Sequence, residues 1–154
     1  KYIHINRGSD DGLRRGMPVV TQQGLVGRIS QITASAALVQ LITDPSVTVN
    51  VRLEPTRAEA ILSGSITGDL GLDMIPQDAS IGAGELVLTS GLGGNYPPNI
   101  LIGQVTGVRS QDYDLFQSAS MQPVVDFANL EIVLVITNFQ PVDLSPLIPT
   151  PSVP

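Results

Sequence analysis

The segment Val47-Thr48-Val49-Asn50-Val51-Arg52-Leu53 alternates apolar and polar side chains, the period of a strand with one buried face. Tyr2-Ile3-His4-Ile5-Asn6 alternates in the same way. Elsewhere the apolar positions fall in short runs of β-formers, such as Leu86-Val87-Leu88, Ile100-Leu101-Ile102 and Ile132-Val133-Leu134-Val135-Ile136. Between them lie Gly8-Ser9-Asp10-Asp11-Gly12, Gln22-Gln23-Gly24, Asp44-Pro45-Ser46 and Gly68-Asp69, all turn chemistry. This pattern predicts strands over 2–6, 17–21, 25–33, 36–43, 47–53, 58–66, 70–75, 85–89, 100–105, 115–125 and 130–139. The single helical turn expected is 125–129, with Asp126 as its N-cap.

Part of this pattern occurs twice. Residues 13–21 resemble 81–89 at an offset of 68, and 25–29 resemble 101–105 at an offset of 76. The second hairpin therefore carries a loop eight residues longer, Ser90 to Ile100, rich in glycine and closed by Pro97-Pro98. Two copies are too few for a solenoid and point to two similar units. Glu54-Pro55-Thr56-Arg57 interrupts the strand pattern and marks the expected boundary. The expected division is a first β-barrel over 1–57, open to completion by strands from elsewhere in the chain, and a second over 58–139. Gln140 to Pro154, with five prolines, is expected to be an extended tail. The fold class expected is all-β: two small six-stranded antiparallel barrels in tandem, which close their own edges.

The 42% hydrophobic content of the 154 residues supports a core, and no apolar run is long enough to cross a membrane as a helix. The net charge of −6 is unevenly spread. Residues 1–57 hold seven basic against four acidic side chains, and 58–154 hold one against ten. Such an asymmetry is first of all that of an ordinary solvated surface, and the sharper alternative is head-to-tail contact between oppositely charged units of two copies. The acidic balance, with three Phe and three Tyr, disfavours nucleic-acid binding.

Little in the sequence supports catalysis or a cofactor. There is no cysteine, and the one histidine, His4, lies on a predicted strand, so thiolate and His-rich metal sites lack ligands. A two-barrel hydrolase would have to use His4 as its base. Gly91-Leu92-Gly93-Gly94 follows a strand but lacks the spacing, the lysine and the following helix of a phosphate loop. Gly64-Ser65-Ile66-Thr67-Gly68 has Ile66 where a nucleophile elbow needs serine. Asp10-Asp11 and Asp112/Asp114 fall in turns, where the carboxylate serves the local backbone. A binding module remains, with no catalytic, cofactor or metal residues. Direct polysaccharide binding is a further alternative, weakened by the lack of tryptophan.

Several segments, in order and spacing, resemble the rod shape-determining protein MreC family. They are Ile5 to Met17, Gly24-Leu25-Val26-Gly27-Arg28-Ile29, Asp44-Pro45-Ser46, Met74-Ile75-Pro76, Thr89 to Gly94, Ile102-Gly103-Gln104-Val105 and Pro123 to Glu131. The chain departs from the family pattern after Gly94, where Tyr96-Pro97-Pro98-Asn99-Ile100-Leu101 replaces Phe-Pro, any residue, Gly-Leu-Pro. Asn99 is the best non-glycine residue for a left-handed position. The resemblance implies paired β-barrels arranged as in chymotrypsin-type proteases but without their catalytic groups. It implies a non-enzymatic scaffold of cell elongation on the outer side of the cytoplasmic membrane (periplasm or extracellular space). The anchor in such proteins is an amino-terminal helix outside this sequence. The partners implied are the elongation transpeptidase (a penicillin-binding protein), RodA, MreD and further copies of the chain. For such a scaffold the candidate contact loop is Leu92, Gly93, Gly94, Asn95 and Tyr96, with exposed edges of the second barrel as further contact surface. Tyr96 has the alternative role of packing the loop down.

Overall fold

The computed structural model describes residues 1–111 and 113–139, so the tail expected from Gln140 lies outside the described residues. In chain order the strands are β1 (Tyr2–Ile5), β2 (Pro18–Val20), β3 (Leu25–Ile32), β4 (Ala37–Leu41), β5 (Thr48–Glu54) and β6 (Glu59–Gly64). They continue with β7 (Leu70–Pro76), β8 (Leu86–Thr89), β9 (Leu101–Arg109), β10 (Phe116–Pro123) and β11 (Leu134–Val135). Helix among the described residues is confined to two single 3-10 turns, Ser9–Asp11 and Leu92–Gly94. Residues 125–129 form a turn in which Asp126 accepts from the Ala128 N–H at 3.1 Å and the Asn129 side chain at 2.7 Å.

The strands form two antiparallel sheets. One is a closed barrel, β10-β7-β6-β5-β8-β9, and the other a five-stranded sheet, β1-β4-β3-β2-β11. The all-β expectation holds, but among the described residues the first unit is a five-stranded sheet rather than a six-stranded barrel. The strand 48–54 pairs with β6 and β8 inside the closed barrel rather than ending the first unit. β11, from the far end of the chain, pairs with β2, the completion of the first unit from elsewhere in the chain that the sequence reading allowed. A boundary at residue 57 therefore falls within the barrel, between β5 and β6. The interruption at Pro55-Thr56 is a hairpin turn and not a linker. Free edges, expected on the second barrel, lie instead on the first sheet at β1 and β11, because the barrel is closed.

The duplication is visible in hydrogen bonds. Gly16 N–H donates to Ile29 at 2.8 Å and Gly84 N–H to Val105 at 2.7 Å; Ile29 N–H returns to Met17 at 3.0 Å and Val105 N–H to Glu85 at 2.8 Å. Both hairpins shift register at the same place, between Val19 and Val20 and between Val87 and Leu88. The following strands repeat too, with Gln40 opposite Arg28 and Gln122 opposite Gln104. At the centre of each meander a side chain is forbidden. A Cβ on Gly27 would run into the carbonyl of Gln40, and one on Gly103 into the carbonyl of Gln122.

Each sheet has its own core. Leu53, Leu62, Leu72, Ile75 and Val87 are fully buried in the barrel, and Val19, Val26, Ile29 and Val39 are buried under the open sheet. The two meet where β3 begins: Leu25 packs in the barrel core while its neighbour Val26 packs in the other, and Phe127 touches both.

Candidate functional site

The glycine loop joins β8 to β9 and is bound down at both ends by Thr89. This residue is fully buried; its hydroxyl donates to the Pro97 carbonyl at 2.6 Å and accepts from the Ile100 N–H at 2.9 Å. Gly91, Gly93 and Gly94 all have left-handed φ, at 82°, 81° and 71°, which lets the segment reverse twice within four residues. Gly91 has a second reason, since a Cβ there would lie 3.1 Å from the Pro98 ring. Asn99 takes the left-handed conformation at φ 68°, the role expected of it.

Neighbouring strands complete the anchoring. From the outward face of β5, Asn50 donates its side-chain N–H to the Leu92 carbonyl at 3.2 Å, and its own carbonyl accepts from the Ser90 N–H at 3.0 Å. Arg52, two residues along on the same face, bonds the side chain of Asn99 and pairs with Glu54 at 2.8 Å. The alternation that turns Val49, Val51 and Leu53 inward also aims Asn50 and Arg52 at the loop.

Of the five candidate loop residues, Leu92, Gly93 and Asn95 are exposed, Leu92 at 52%, and Gly94 is half-buried. Tyr96 is not on the surface. It is 6% exposed and packs in the barrel core, so its role is the alternative one of holding the loop down. Burial pushes its phenol pKa up, and the positive charge of Arg28 opposes that shift. The reason is geometric: Pro97 and Pro98 turn the chain back toward β9 directly after Tyr96, and the ring follows the chain inward.

His4 lies exposed on β1, opposite Leu38, and no hydroxyl or carboxylate among the described residues hydrogen-bonds to it. The described residues contain no group of three His, Cys, Asp or Glu side chains able to hold a metal. Asp10 and Asp11 form the 3-10 turn, where Asp11 accepts from the Gly8 N–H at 3.1 Å. Asp44, in the turn between the sheets, accepts from the Ser46 hydroxyl at 2.6 Å and the Ser46 N–H at 2.9 Å. These acids build turns.

The family model described as "Rod shape-determining protein MreC, barrel core" matches residues 1–137. This chain belongs to the MreC family. It is 34% identical over 139 residues to the cell shape-determining protein MreC of Listeria monocytogenes, covering 87% of this chain. The alignment takes in 47% of that relative, so the chain spans about half the length of a curated MreC. A solved Listeria MreC structure matches with a TM-score of 0.84 at 32% identity, covering 94% of this chain and 71% of that one. Two more distant MreC structures share the fold. One is a complex between penicillin-binding protein PBP2 and MreC from Helicobacter pylori, with a TM-score of 0.66 at 17% identity over 88% of this chain and 97% of that one. The other is the major periplasmic domain from "the cell shape-determining filament MreC", with a TM-score of 0.70 at 21% identity over 81% and 78%.

Surface features that the sequence pattern did not single out include Met74, Tyr113, Leu115 and Phe116, exposed near one end of the barrel, and Ile132 and Leu134 around β11. Met74 alone left a signal only geometry could reveal. It has a left-handed φ of 61° where β7 carries an extra residue opposite β10, which turns its side chain outward.

Proposed function

We propose that this chain is a non-enzymatic scaffold domain on the outer side of the cytoplasmic membrane. In this reading it binds the transpeptidase of the cell-elongation machinery and associates with further copies of itself. The observation that carries the reading is the family match across residues 1–137. A penicillin-binding protein as partner is supported by the Helicobacter pylori complex, and an outer location with self-association by the relative described as a periplasmic domain of a filament. RodA and MreD are further partners of the complete protein under this proposal, with membrane attachment through an amino-terminal helix.

A scaffold of this kind acts through differential affinity: it holds its partner in the conformation it binds best, and no bond is made or broken. The loop at Leu92 to Asn95 suits that task because it is exposed at its tip, fixed at its base by Thr89 and Arg52, and held at Leu92 by Asn50. A pre-ordered loop loses little conformational entropy when a partner lands on it. Leu92 supplies apolar area and Asn95 hydrogen-bonding groups, with Gly93 and Gly94 shaping the tip.

In-cell photo-crosslinking tests this reading. A photoreactive residue at Leu92 or Asn95 is expected to capture a penicillin-binding protein, identified by mass spectrometry, and one at exposed Gln31 on β3 is not. Capture from Gln31 alone, or of no cell-wall enzyme from any of the three, would contradict it.

A further inference from the structure

The duplication extends beyond the shared hairpins. β1 meets β4 as β7 meets β10: His4 opposes Leu38 and Ile5 opposes Ala37, as Gly71 opposes Ser120 and Leu72 opposes Ala119. β11 meets β2 as β5 meets β8, with Leu134 and Val135 opposite Val20 and Val19, as Arg52 and Leu53 oppose Leu88 and Val87. Five strands of the open sheet thus have counterparts in the barrel. The barrel strand without one is β6, which stands between β5 and β7. Among the described residues no strand stands in the equivalent place, between β11 and β1.

A cleft of about 620 Å³ lies there, with His4 to Arg7 on one wall and Glu131 to Val135 on the other. The register of β6 indicates how a strand would sit in it. Leu62 lies between Leu72 and Val49, whose counterparts are Ile5 and Glu131; Ile61 lies between Asp73 and Asn50, whose counterparts are Asn6 and Ile132. Burial agrees. Leu72, Val51 and Leu53 are completely buried beside β6, while their counterparts Ile5, Val133 and Val135 are only half-buried. β1 and β11 run in the same direction, so one strand can be antiparallel to both and bond to each.

We propose that this seam binds an extended segment of a partner protein, which closes the five-stranded sheet into a six-stranded barrel by β-augmentation. A core strand of a second copy is a poor occupant, because every described strand except β1 and β11 is paired along both edges. The fifteen residues after Phe139 fit poorly too: they contain no proline-free run longer than four, and a strand bonded on both sides tolerates no internal proline. The walls define the chemistry of the occupant. It is six residues long, proline-free and antiparallel to β1. An apolar side chain at its second position lies between Arg7 and Val133. Its fourth position is basic, the stem lying on Ile5 and the charge meeting Glu131.

The test uses the 154-residue chain and a capped synthetic peptide of residues 57–66 carrying Leu62→Lys. Titration followed by NMR is expected to show saturable binding, with shifts concentrated in Ile3 to Arg7 and Glu131 to Val135. Adding Ile61→Pro to the peptide weakens binding at least about tenfold, since it removes ladder bonds. Glu131→Lys in the protein weakens it by a similar factor, and a peptide with Leu62→Glu recovers it. Because Glu131 is exposed, the charge-reversal arm does not depend on a risky core substitution. Three results would overturn the proposal: no saturable binding, indifference to the proline, or shifts centred elsewhere. Binding seen only after residues 140–154 are removed would assign the seam to the tail. Self-association that the peptide dissolves would assign it to a second copy; either overturns a partner segment as occupant.

Discussion

Asn50 on β5 holds the tip of the glycine loop from 42 residues away in sequence, donating its side-chain N–H to the carbonyl of Leu92 at 3.2 Å. The same residue accepts the Ser90 N–H at 3.0 Å through its backbone, so one strand position fixes two points of the loop. Replacing Asn50 with Ala removes the first bond and keeps the second. Because the site is exposed, the expected loss of global stability is only about 1 kcal/mol. Amide exchange at Leu92 to Asn95 is expected to rise by more than the stability change explains. Equal protection in the variant would show that Asn50 does not order the tip.

Leu92 and Tyr96 should separate cleanly in stability. Leu92 is exposed, so Leu92→Asp is expected to change unfolding free energy by no more than about 0.5 kcal/mol. Tyr96→Ala empties a core position and is expected to cost about 3 kcal/mol. Urea denaturation of the two variants decides this. A Tyr96→Ala variant as stable as the parent would place the ring outside the core.

Paired glycines give a prediction specific to the duplication. Gly27→Ala and Gly103→Ala each drive a methyl into a facing backbone carbonyl, and each is expected to cost about 3 kcal/mol. Gly82→Ala points its methyl into open space and is expected to be within about 0.5 kcal/mol of the parent. If Gly27→Ala were tolerated while Gly103→Ala was not, the two meanders would not be equivalent in packing.

Glu85 ties two turns together. Its buried carboxylate accepts from the Gly82 N–H at 2.7 Å and the Thr56 N–H at 3.1 Å, and from the Thr56 hydroxyl. Replacing it with Ala leaves those donors short of a partner and is expected to cost about 2 kcal/mol. Gln, which keeps one acceptor oxygen, should cost less than Ala. Thermal unfolding of both variants checks the order.

Much of the fold was legible because burial imposes period two on a strand. The alternation from Val47 to Leu53 correctly separated inward from outward side chains, and the repeat around Gly27 and Gly103 correctly announced two related sheets. Sheet membership was not legible. Alternation says that a strand has a buried face but not which core that face joins. Nothing local in Thr48 to Glu54 or Leu134-Val135 reveals that the former belongs with β6 and the latter with β2. The loop showed the same limit. Asn99 could be placed in a left-handed conformation from its residue type alone, whereas the burial of Tyr96 depended on the turn made by Pro97 and Pro98. The seam beside β1 became visible only when β6 was found to have no counterpart.

The most direct test of the scaffold reading is the affinity of this chain for the extracytoplasmic part of the elongation penicillin-binding protein from the same cell, measured by calorimetry with the parent and Leu92→Asp. Saturable binding to the parent, weakened at least about tenfold in the variant with its fold intact, is the expected result. Absence of binding by the parent would contradict the proposed partner, and equal affinity in the two proteins would remove the loop from the interface.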